Sequence, residues 1–204
     1  ESLYENILKE FQNAYLKDGL PTGKKALEAS CSEKSTNFTQ AAISLILYFH
    51  LAKKEDEEKL TSALVELIQE NGMRMTTGFL GTPYILHALS ENGRSDIAYD
   101  LLLQEKKPSW LYSVNKGATT VWEHWDGIND EGKLWDPFMN SFNHYSYGAV
   151  FDWIFNEAAG IHILKANYEE IVIKPHVDKR LGHLDMKYLT EKGLLSVRWY
   201  FQDD

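Results

Sequence analysis

The chain has 204 residues, which is enough for one domain or for one domain with a small appendage. Hydrophobic residues make up 44% and charged residues 25%, values near globular averages that exclude a wholly disordered chain. The net charge of −9 argues against nucleic acid or an anionic membrane as a partner, because both need a basic face.

A single cysteine, Cys31, rules out an intrachain disulfide and is compatible with a reducing compartment without requiring one. The longest apolar run, near Ala41–Phe49, is too short to cross a membrane. The chain does not open with a basic segment followed by an apolar stretch, so we expect no signal peptide. The lack of an initiator Met indicates a processed or excised segment.

Two helices are predicted at the start of the chain. Apolar residues recur at helical spacing over residues 3–15, and Asp18-Gly19 ends this helix. After a polar connection over residues 22–36, a second helix is expected from Thr36 or Asn37, with Gln40 as the capping-box partner of Asn37. This helix is apolar almost all round, so it should be buried between neighbours.

Three more helices follow with short links. The third has acidic residues 55–58 near its positive N-terminal end and Asn71-Gly72 as its C-cap. The fourth is predicted to begin with Thr82 as N-cap and Pro83 as first helical residue, and Asn92-Gly93 closes it. The fifth starts at Ser95. This repeated order of helix, cap and short link is typical of stacked antiparallel helix hairpins.

The stretch over residues 106–142 differs, because it is rich in Trp, Gly, Asn and Asp and has no sustained period. A loop of this length in a compact domain is usually functional. A further helix is expected over roughly residues 143–159, stopped by Gly160.

After Gly160 the pattern changes to short strands. Three strands are predicted, at 168–175, 184–189 and 195–200, with a hairpin turn at 191–193. Three strands are too few for a secure sandwich, so they indicate the beginning of a β domain, either truncated or packed on the helices. The chain is therefore predicted to be mainly α, with helix hairpins followed by a short antiparallel β segment, and with domains at residues 1–160 and 161–204.

Aromatic residues reach 13% of the chain, and many lie beside polar residues in its second half. They are either filler of a large core or a surface for sugar rings, whose C–H faces stack on aromatics. The densest cluster is at residues 117–127, where Glu123 stands between Trp122 and Trp125. A carboxylate in such surroundings often serves as a general acid or base; the alternative is an exposed Glu beside packed rings.

A second cluster, at residues 139–148, carries amides, a tyrosine and His144 that could bind hydroxyls; the alternative for His144 is a helix-capping or core histidine. A third stretch, 75–84, has glycines before a helix but lacks the lysine of a phosphate-binding loop. Motifs for zinc, for a dinucleotide and for an α/β-hydrolase nucleophile do not occur. We therefore expect no metal or cofactor.

Taken in order, several segments resemble bacterial α-L-rhamnosidases of glycoside hydrolase family 78. Any one of them alone is a weak signal, whereas the ordered set is highly specific and extends over residues 36–175. The segments are Thr76–Tyr84, Ala88–Gly93, Tyr99–Gln104, Pro108–Tyr112, Gly117–Glu123 and Asn140–Val150.

The resemblance implies a partial (α/α)6 barrel followed by a C-terminal β-sandwich. It implies inverting hydrolysis of terminal α-L-rhamnosides, in which one carboxylic acid protonates the leaving oxygen and a second carboxylate activates water, the two being about 6.5–9.5 Å apart. The family's base is the Glu of its Thr-Thr-x-Trp-Glu motif, here Glu123. His144 is similar to a sugar-contacting residue of the family. Trp110, Trp122 and Trp125 are candidate pocket aromatics.

One departure from the family concerns the general acid. Its motif, Asp-x-x-x-Glu after Cys-Pro, does not occur in this chain. The chain is thus similar to the C-terminal part of a rhamnosidase, and by itself it is expected to be inactive. A half barrel would also expose apolar faces of inner helices such as 37–52, which predicts self-association or a loosely packed state.

Three hypotheses remain open from the sequence. The chain is part of a glycosidase for rhamnose-containing glycosides, a non-catalytic carbohydrate-binding or scaffold fragment, or a helical segment whose tryptophans are core. The natural rhamnoside stays undetermined, as does a bacterial cytoplasmic or extracellular location.

Overall fold

The computed structural model describes residues 2–23 and 38–202. They divide into two compact units, one ending at Tyr147 and the other beginning at Gly148. None of the helices in this described part is long and apolar enough to cross a bilayer. The predicted domain boundary at residue 160 stays a prediction.

The first unit opens with helix α1, Leu3–Tyr15, as predicted. Ser2 forms a full capping box with Glu5: the serine hydroxyl accepts from the Glu5 N–H, and the Glu5 carboxylate accepts from the Ser2 N–H. Strands β1 (Leu16–Lys17) and β2 (Leu20–Pro21) follow, paired antiparallel across the Asp18-Gly19 turn. Both turn residues have positive φ, as a type I′ hairpin turn needs.

Four helices, α2 to α5, form the body of this unit. Helix α2 packs against α3 and α4, and α4 packs against α5, with apolar side chains between them. This confirms the predicted succession of short-linked helices. Their bounds are α2 Gln40–Tyr48, α3 Glu57–Glu70 after a 3-10 turn at Lys54–Asp56, α4 Thr82–Glu91 and α5 Ser95–Leu102.

The predicted cap of α2 is corrected by the structure. Thr39 is the N-cap, and its side chain accepts from the N–H of Ala42; the proposed start at residues 36–37 lies outside the described residues. Gln40 is buried, and its amide nitrogen donates to Leu67 O at 3.2 Å. Its amide oxygen accepts from Thr76 N–H at 2.7 Å. Gln40 therefore joins α2 to α3 and to the loop after it, rather than capping its own helix.

The start of α4 also differs slightly from expectation. Gly81 is the N-cap, and Thr82 is the first helical residue. The Thr82 hydroxyl lies 2.8 Å from that of Thr77 and donates to Gly78 O at 2.9 Å. Because a Cβ at Gly81 would lie 2.7 Å from that of Ala41, glycine is required for α4 to approach α2 so closely.

The stretch predicted as one long loop contains a short helix, α6, Trp110–Asn115. Ser109 caps it and accepts from the Tyr112 N–H at 3.1 Å. The rest of residues 116–145 is irregular, as expected.

The second unit begins with helix α7, Val150–Trp153, flanked by a 3-10 turn at Ser146–Ala149 and a π turn at Ile154–Ala158. The helix predicted from residue 143 therefore starts later, and Gly160 ends it with φ +70°. Two antiparallel strand pairs follow, and Trp199 donates to Ala158 O at 2.8 Å. The strands are β3 Ile161–Lys165, which the sequence pattern missed, β4 Glu170–Ile173, β5 His183–Thr190 and β6 Gly193–Tyr200.

Candidate active site

The two clusters singled out in the sequence pair with each other in the first unit. Glu123 N–H donates to Ser141 O at 2.9 Å, and His144 N–H donates to Val121 O at 2.8 Å. The two segments therefore run side by side in opposite directions, although about twenty residues separate them along the chain. This pairing brings Glu123 and His144 onto neighbouring stretches of main chain.

The carboxylate of Glu123 is held by the partner segment. Ser141 N–H donates to Glu123 Oε2 at 3.1 Å, and the side chain is half-buried. A hydrogen bond from a neutral donor to a carboxylate is stronger than one between two neutral groups, so it restricts the carboxylate's orientation. The local fold thus presents one ionisable carboxylate in a fixed position beside aromatic residues.

Close packing behind Glu123 joins the two segments further. Trp122 is 6% exposed, and its ring meets that of Phe142 edge-on at 5.1 Å. The Asn140 amide donates to Gly127 O at 2.8 Å. A Cβ at Gly127 would lie 3.2 Å from both Trp122 Cε3 and Asn140 Oδ1. The buried side of the site therefore leaves little room for a larger residue at 127.

A ladder of aromatic rings runs through the same unit to His144. Trp110 meets Trp125 edge-on at 5.4 Å, and Trp125 stacks on Tyr147 at 3.7 Å. Tyr147 contacts Phe79 at 5.1 Å, and Phe79 stacks on His144 at 4.7 Å with the rings 12° from parallel. Trp110 Nε1 also donates to Tyr147 O at 2.8 Å. We call these five residues the aromatic ladder.

Residues 126–135 form a hairpin-like arm that α6 holds at its base. Ile128 and Leu134 form a β-bridge across the arm. The buried Tyr112 hydroxyl donates to Asp130 Oδ1 at 2.9 Å and contacts Ile128 O at 3.2 Å. Burial, and then the hydrogen bond to Asp130, raise the pKa of Tyr112 to about 12. The same hydrogen bond is the main cause that lowers the pKa of Asp130.

Two lysines reinforce the base of this arm. Lys107 Nζ lies 3.2 Å from Asp126 Oδ2 and 3.9 Å from Asp130 Oδ2, and Lys116 Nζ lies 3.6 Å from Asp130 Oδ1. The tip of the arm, residues 130–133, is exposed and polar. Trp135 closes the other end of the arm, where its N–H donates to Gly127 O at 3.0 Å and its ring stacks on His124 at 3.7 Å.

With this geometry in place, comparison with known proteins identifies the family. The model of the bacterial alpha-L-rhamnosidase 6 hairpin glycosidase domain matches residues 1–158. The chain belongs to this family. Its fold of short-linked helices followed by short antiparallel strand pairs confirms the predicted fold class.

Curated relatives support the assignment. The chain is 37% identical over 198 residues to an α-L-rhamnosidase of Streptomyces avermitilis, covering 97% of this chain and 18% of that protein. It is 35% identical over 204 residues to an α-L-rhamnosidase of Formosa agariphila, covering 100% of this chain and 21% of that protein. The chain thus spans about one fifth of the length of these relatives.

Solved structures are similar as well. The crystal structure of Streptomyces avermitilis α-L-rhamnosidase complexed with L-rhamnose matches with a TM-score of 0.85 at 36% identity, over 98% of this chain and 18% of that one. The native α-L-rhamnosidase of Aspergillus terreus matches with a TM-score of 0.86 at 32% identity, over 97% and 21% respectively.

Within this rhamnosidase domain, the predicted residues fall into three positions. Glu123 and His144 lie on the paired segments, Trp110 and Trp125 belong to the aromatic ladder, and Trp122 is buried against Phe142. The catalytic or sugar-binding role of each stays a prediction, and so does the expected lack of a metal or cofactor.

Sequence reasoning missed two residues of this site. Ser141 contacts Glu123 through its backbone N–H, so its residue type does not indicate this contact. Phe79 stands in the glycine-containing stretch 75–84, which carries part of the family resemblance and lacks a phosphate-binding lysine, but neither observation assigns a role to Phe79 itself. An aromatic residue between two glycines is the signal available there.

Proposed function

We propose that this chain forms part of an α-L-rhamnosidase that hydrolyses terminal α-L-rhamnosides with inversion, and that Glu123 is the general base. Membership of the rhamnosidase family supports the reaction class. The observation that carries the assignment of the base is the hydrogen bond from Ser141 N–H to Glu123 Oε2, made by two paired motif segments.

The chemistry proposed for Glu123 follows from this contact. An inverting base must stay in place while it removes a proton from water on the face of the sugar opposite the leaving group. Ser141 engages Oε2, so we assign Oε1 to the water. The buried packing of Trp122 and Gly127 limits movement of the segment that carries the carboxylate.

The reaction also needs an acid about 6.5–9.5 Å from the base. We assign it to a part of the polypeptide outside these 204 residues, because the family's acid motif does not occur in them. Hydrolysis by the 204-residue chain alone is therefore expected to be undetectable.

Sugar recognition is proposed for His144, with Trp110 and Trp125 as further aromatic contacts; Trp122, also predicted as a contact, is 6% exposed and would support the site through its packing on Phe142. An imidazole can bind hydroxyls, and ring faces can stack on the C–H face of rhamnose. The partner is thus a rhamnose-containing glycoside. We place residues 1–160 in the C-terminal part of the (α/α)6 barrel and residues 161–204 at the start of the β-sandwich.

Self-association is a further proposal, supported by apolar side chains exposed on α1; the expected exposure of the inner helix is not seen in α2, where Ile43 and Leu47 are buried. Leu3 is 76% exposed and Ile7 is 60% exposed, and the helix has no buried residue. Exposed apolar patches of this kind favour contact between copies. Sedimentation at increasing concentration should therefore show species larger than the monomer; a constant monomer mass would contradict it.

The alternative function is a carbohydrate-binding or scaffold segment without turnover. The family's acid motif does not occur in these residues, which favours it for the chain on its own. It predicts binding of L-rhamnose by the chain with no hydrolysis even in the complete natural polypeptide that contains it.

Release of p-nitrophenol from p-nitrophenyl α-L-rhamnoside tests the proposal, in both this chain and that complete polypeptide. Glu123→Gln should lower kcat of the complete polypeptide by about 10²- to 10⁴-fold, the range for loss of a general base. Glu131→Gln is the matched control, since this glutamate lies on the exposed arm with a side chain 70% exposed. Full activity in Glu123→Gln would overturn the assignment.

A further inference from the structure

Phe79 is the one member of the aromatic ladder that links His144 to the rest of the first unit. Its ring lies 4.7 Å from the imidazole and 12° from parallel, and it also contacts Tyr147 at 5.1 Å. It is nevertheless 40% exposed. Phe79 is therefore not a core residue, and its ring contacts are with His144 and Tyr147.

The backbone that carries Phe79 is well fixed. Gly81 N–H and Thr82 N–H both donate to Gly78 O, at 3.2 and 3.0 Å. The Thr82 hydroxyl donates to the same carbonyl and lies 2.8 Å from the Thr77 hydroxyl. Phe79 therefore stands in a tight turn at the start of α4 and offers its ring to His144 from a rigid base.

His144 is restrained by a second contact. Its Nδ1 accepts from the Ser146 N–H in a long hydrogen bond of 3.5 Å. A backbone N–H can only donate, so this contact favours the neutral tautomer in which the proton is on Nε2. The stack on Phe79 limits rotation of the imidazole, the Tyr145 ring lies parallel to it at 5.9 Å, and the hydrogen bond favours the proton on Nε2.

We propose that Phe79 is a positioning residue, which stacks on His144 and holds its imidazole so that Nε2–H can donate to a hydroxyl of the bound sugar. This inference rests on the sugar-binding role of His144 in the proposed function. The inference adds three points to that function: how the imidazole is oriented, which of its nitrogens donates, and which residue sets both.

The first test reads the imidazole directly. The 204-residue chain, labelled with 15N-histidine, is examined by long-range 1H–15N correlation at about pH 8, where an ordinary histidine is neutral. We expect the Nε2–H pattern for His144 in the wild type and a mixture of tautomers in Phe79→Leu. Phe79→Tyr keeps a flat ring and should keep the wild-type pattern.

The matched control is Phe138→Leu, the same substitution at a ring that is 97% exposed. Circular dichroism of each variant reports whether it is folded. A Phe79→Leu spectrum identical to that of Phe138→Leu would overturn the proposal.

The second test measures hydrolysis of p-nitrophenyl α-L-rhamnoside by the complete natural polypeptide. Loss of one aromatic stack should raise KM of Phe79→Leu about 2- to 10-fold, with kcat nearly unchanged and Phe79→Tyr restoring KM. An unchanged KM in Phe79→Leu, where His144→Ala raises it, would overturn the proposal. If His144→Ala itself leaves KM unchanged, the sugar-binding role in the proposed function fails, and the spectrum still decides whether Phe79 orients the ring.

Discussion

Two regions of the first unit are held together in different ways. Helices α2 to α5 bury apolar faces whose spacing repeats along the sequence, so that Leu64 and Leu89 are fully buried. Residues 116–145 have no such period, and they are fixed by hydrogen bonds between main-chain segments, by ring contacts and by the charged base of the arm.

The two regions therefore differ in what they contribute to stability and to function. Burial of a repeating apolar face supplies most of the free energy of folding, and it tolerates little chemistry at those positions. The irregular loops bury less, but they present the Glu123 carboxylate and the His144 imidazole at half-exposed positions. Substitutions in the helices should therefore act mainly on stability, and substitutions in the loops mainly on activity.

The largest effect is expected in the helices. Leu64→Ala in α3 removes a side chain with 0% exposure, so it should lower the free energy of unfolding by about 2–5 kcal/mol. Urea denaturation followed by circular dichroism measures it. Ser62→Ala on the exposed side of the same helix is the control and should change little.

Gly81→Ala comes next. The new Cβ would meet Ala41 Cβ at 2.7 Å and Ala41 Cα at 3.0 Å, so α2 and α4 must move apart at a cost of about 1–3 kcal/mol. Gly78→Ala is the matched control because its Cβ would have nothing within 4 Å. Equal denaturation midpoints for the two variants would contradict the close approach of these helices.

A glycine in the loops allows the same substitution to be made there. Gly127→Ala places a Cβ at 3.2–3.3 Å from atoms of Trp122, Asn140 and Phe142, and so shifts the paired segments by tenths of an ångström. We expect kcat/KM of the complete polypeptide to fall about tenfold, since small displacements of catalytic groups are costly. The denaturation midpoint should move less than in Gly81→Ala; a larger shift in stability than in activity would argue against the distinction.

The smallest effect is expected from Tyr112→Phe at the base of the arm. Loss of the hydrogen bonds of this buried hydroxyl should cost about 1 kcal/mol. Because the folded-state pKa of Tyr112 is raised to about 12 from 10.0, its stabilising contribution is complete below pH 10 and is lost as the pH rises through 12. Denaturation midpoints across this range should fall more steeply in the wild type than in the variant. Parallel curves would contradict this linkage.

The parts of the fold that could be predicted from sequence are those with a local cause. The helix over residues 3–15, the C-caps at Asn71-Gly72 and Asn92-Gly93, and the start of α5 at Ser95 all follow from spacing and capping residues, and the structure confirms them. The two-residue turn between β5 and β6 is of the same kind.

Elements without a local signal were missed or misplaced. Strand β3 has only five residues, and it forms through its pairing with β4 across a 3-10 turn. Gln40 resembles a capping residue in sequence, yet it bonds to α3 and to the following loop because the packing of α2 buries it.

The residues alone predict the helical character of the first half, the change to strands after Gly160 and the family resemblance that points to Glu123 and His144, because spacing, capping residues and motif order are local features. Two contacts are seen only in the folded chain: Ser141 N–H bonds to the Glu123 carboxylate, and Phe79 stacks on His144. These contacts join residues 18 and 65 positions apart, and such pairs are fixed by how the loops pack on the helices rather than by any local preference.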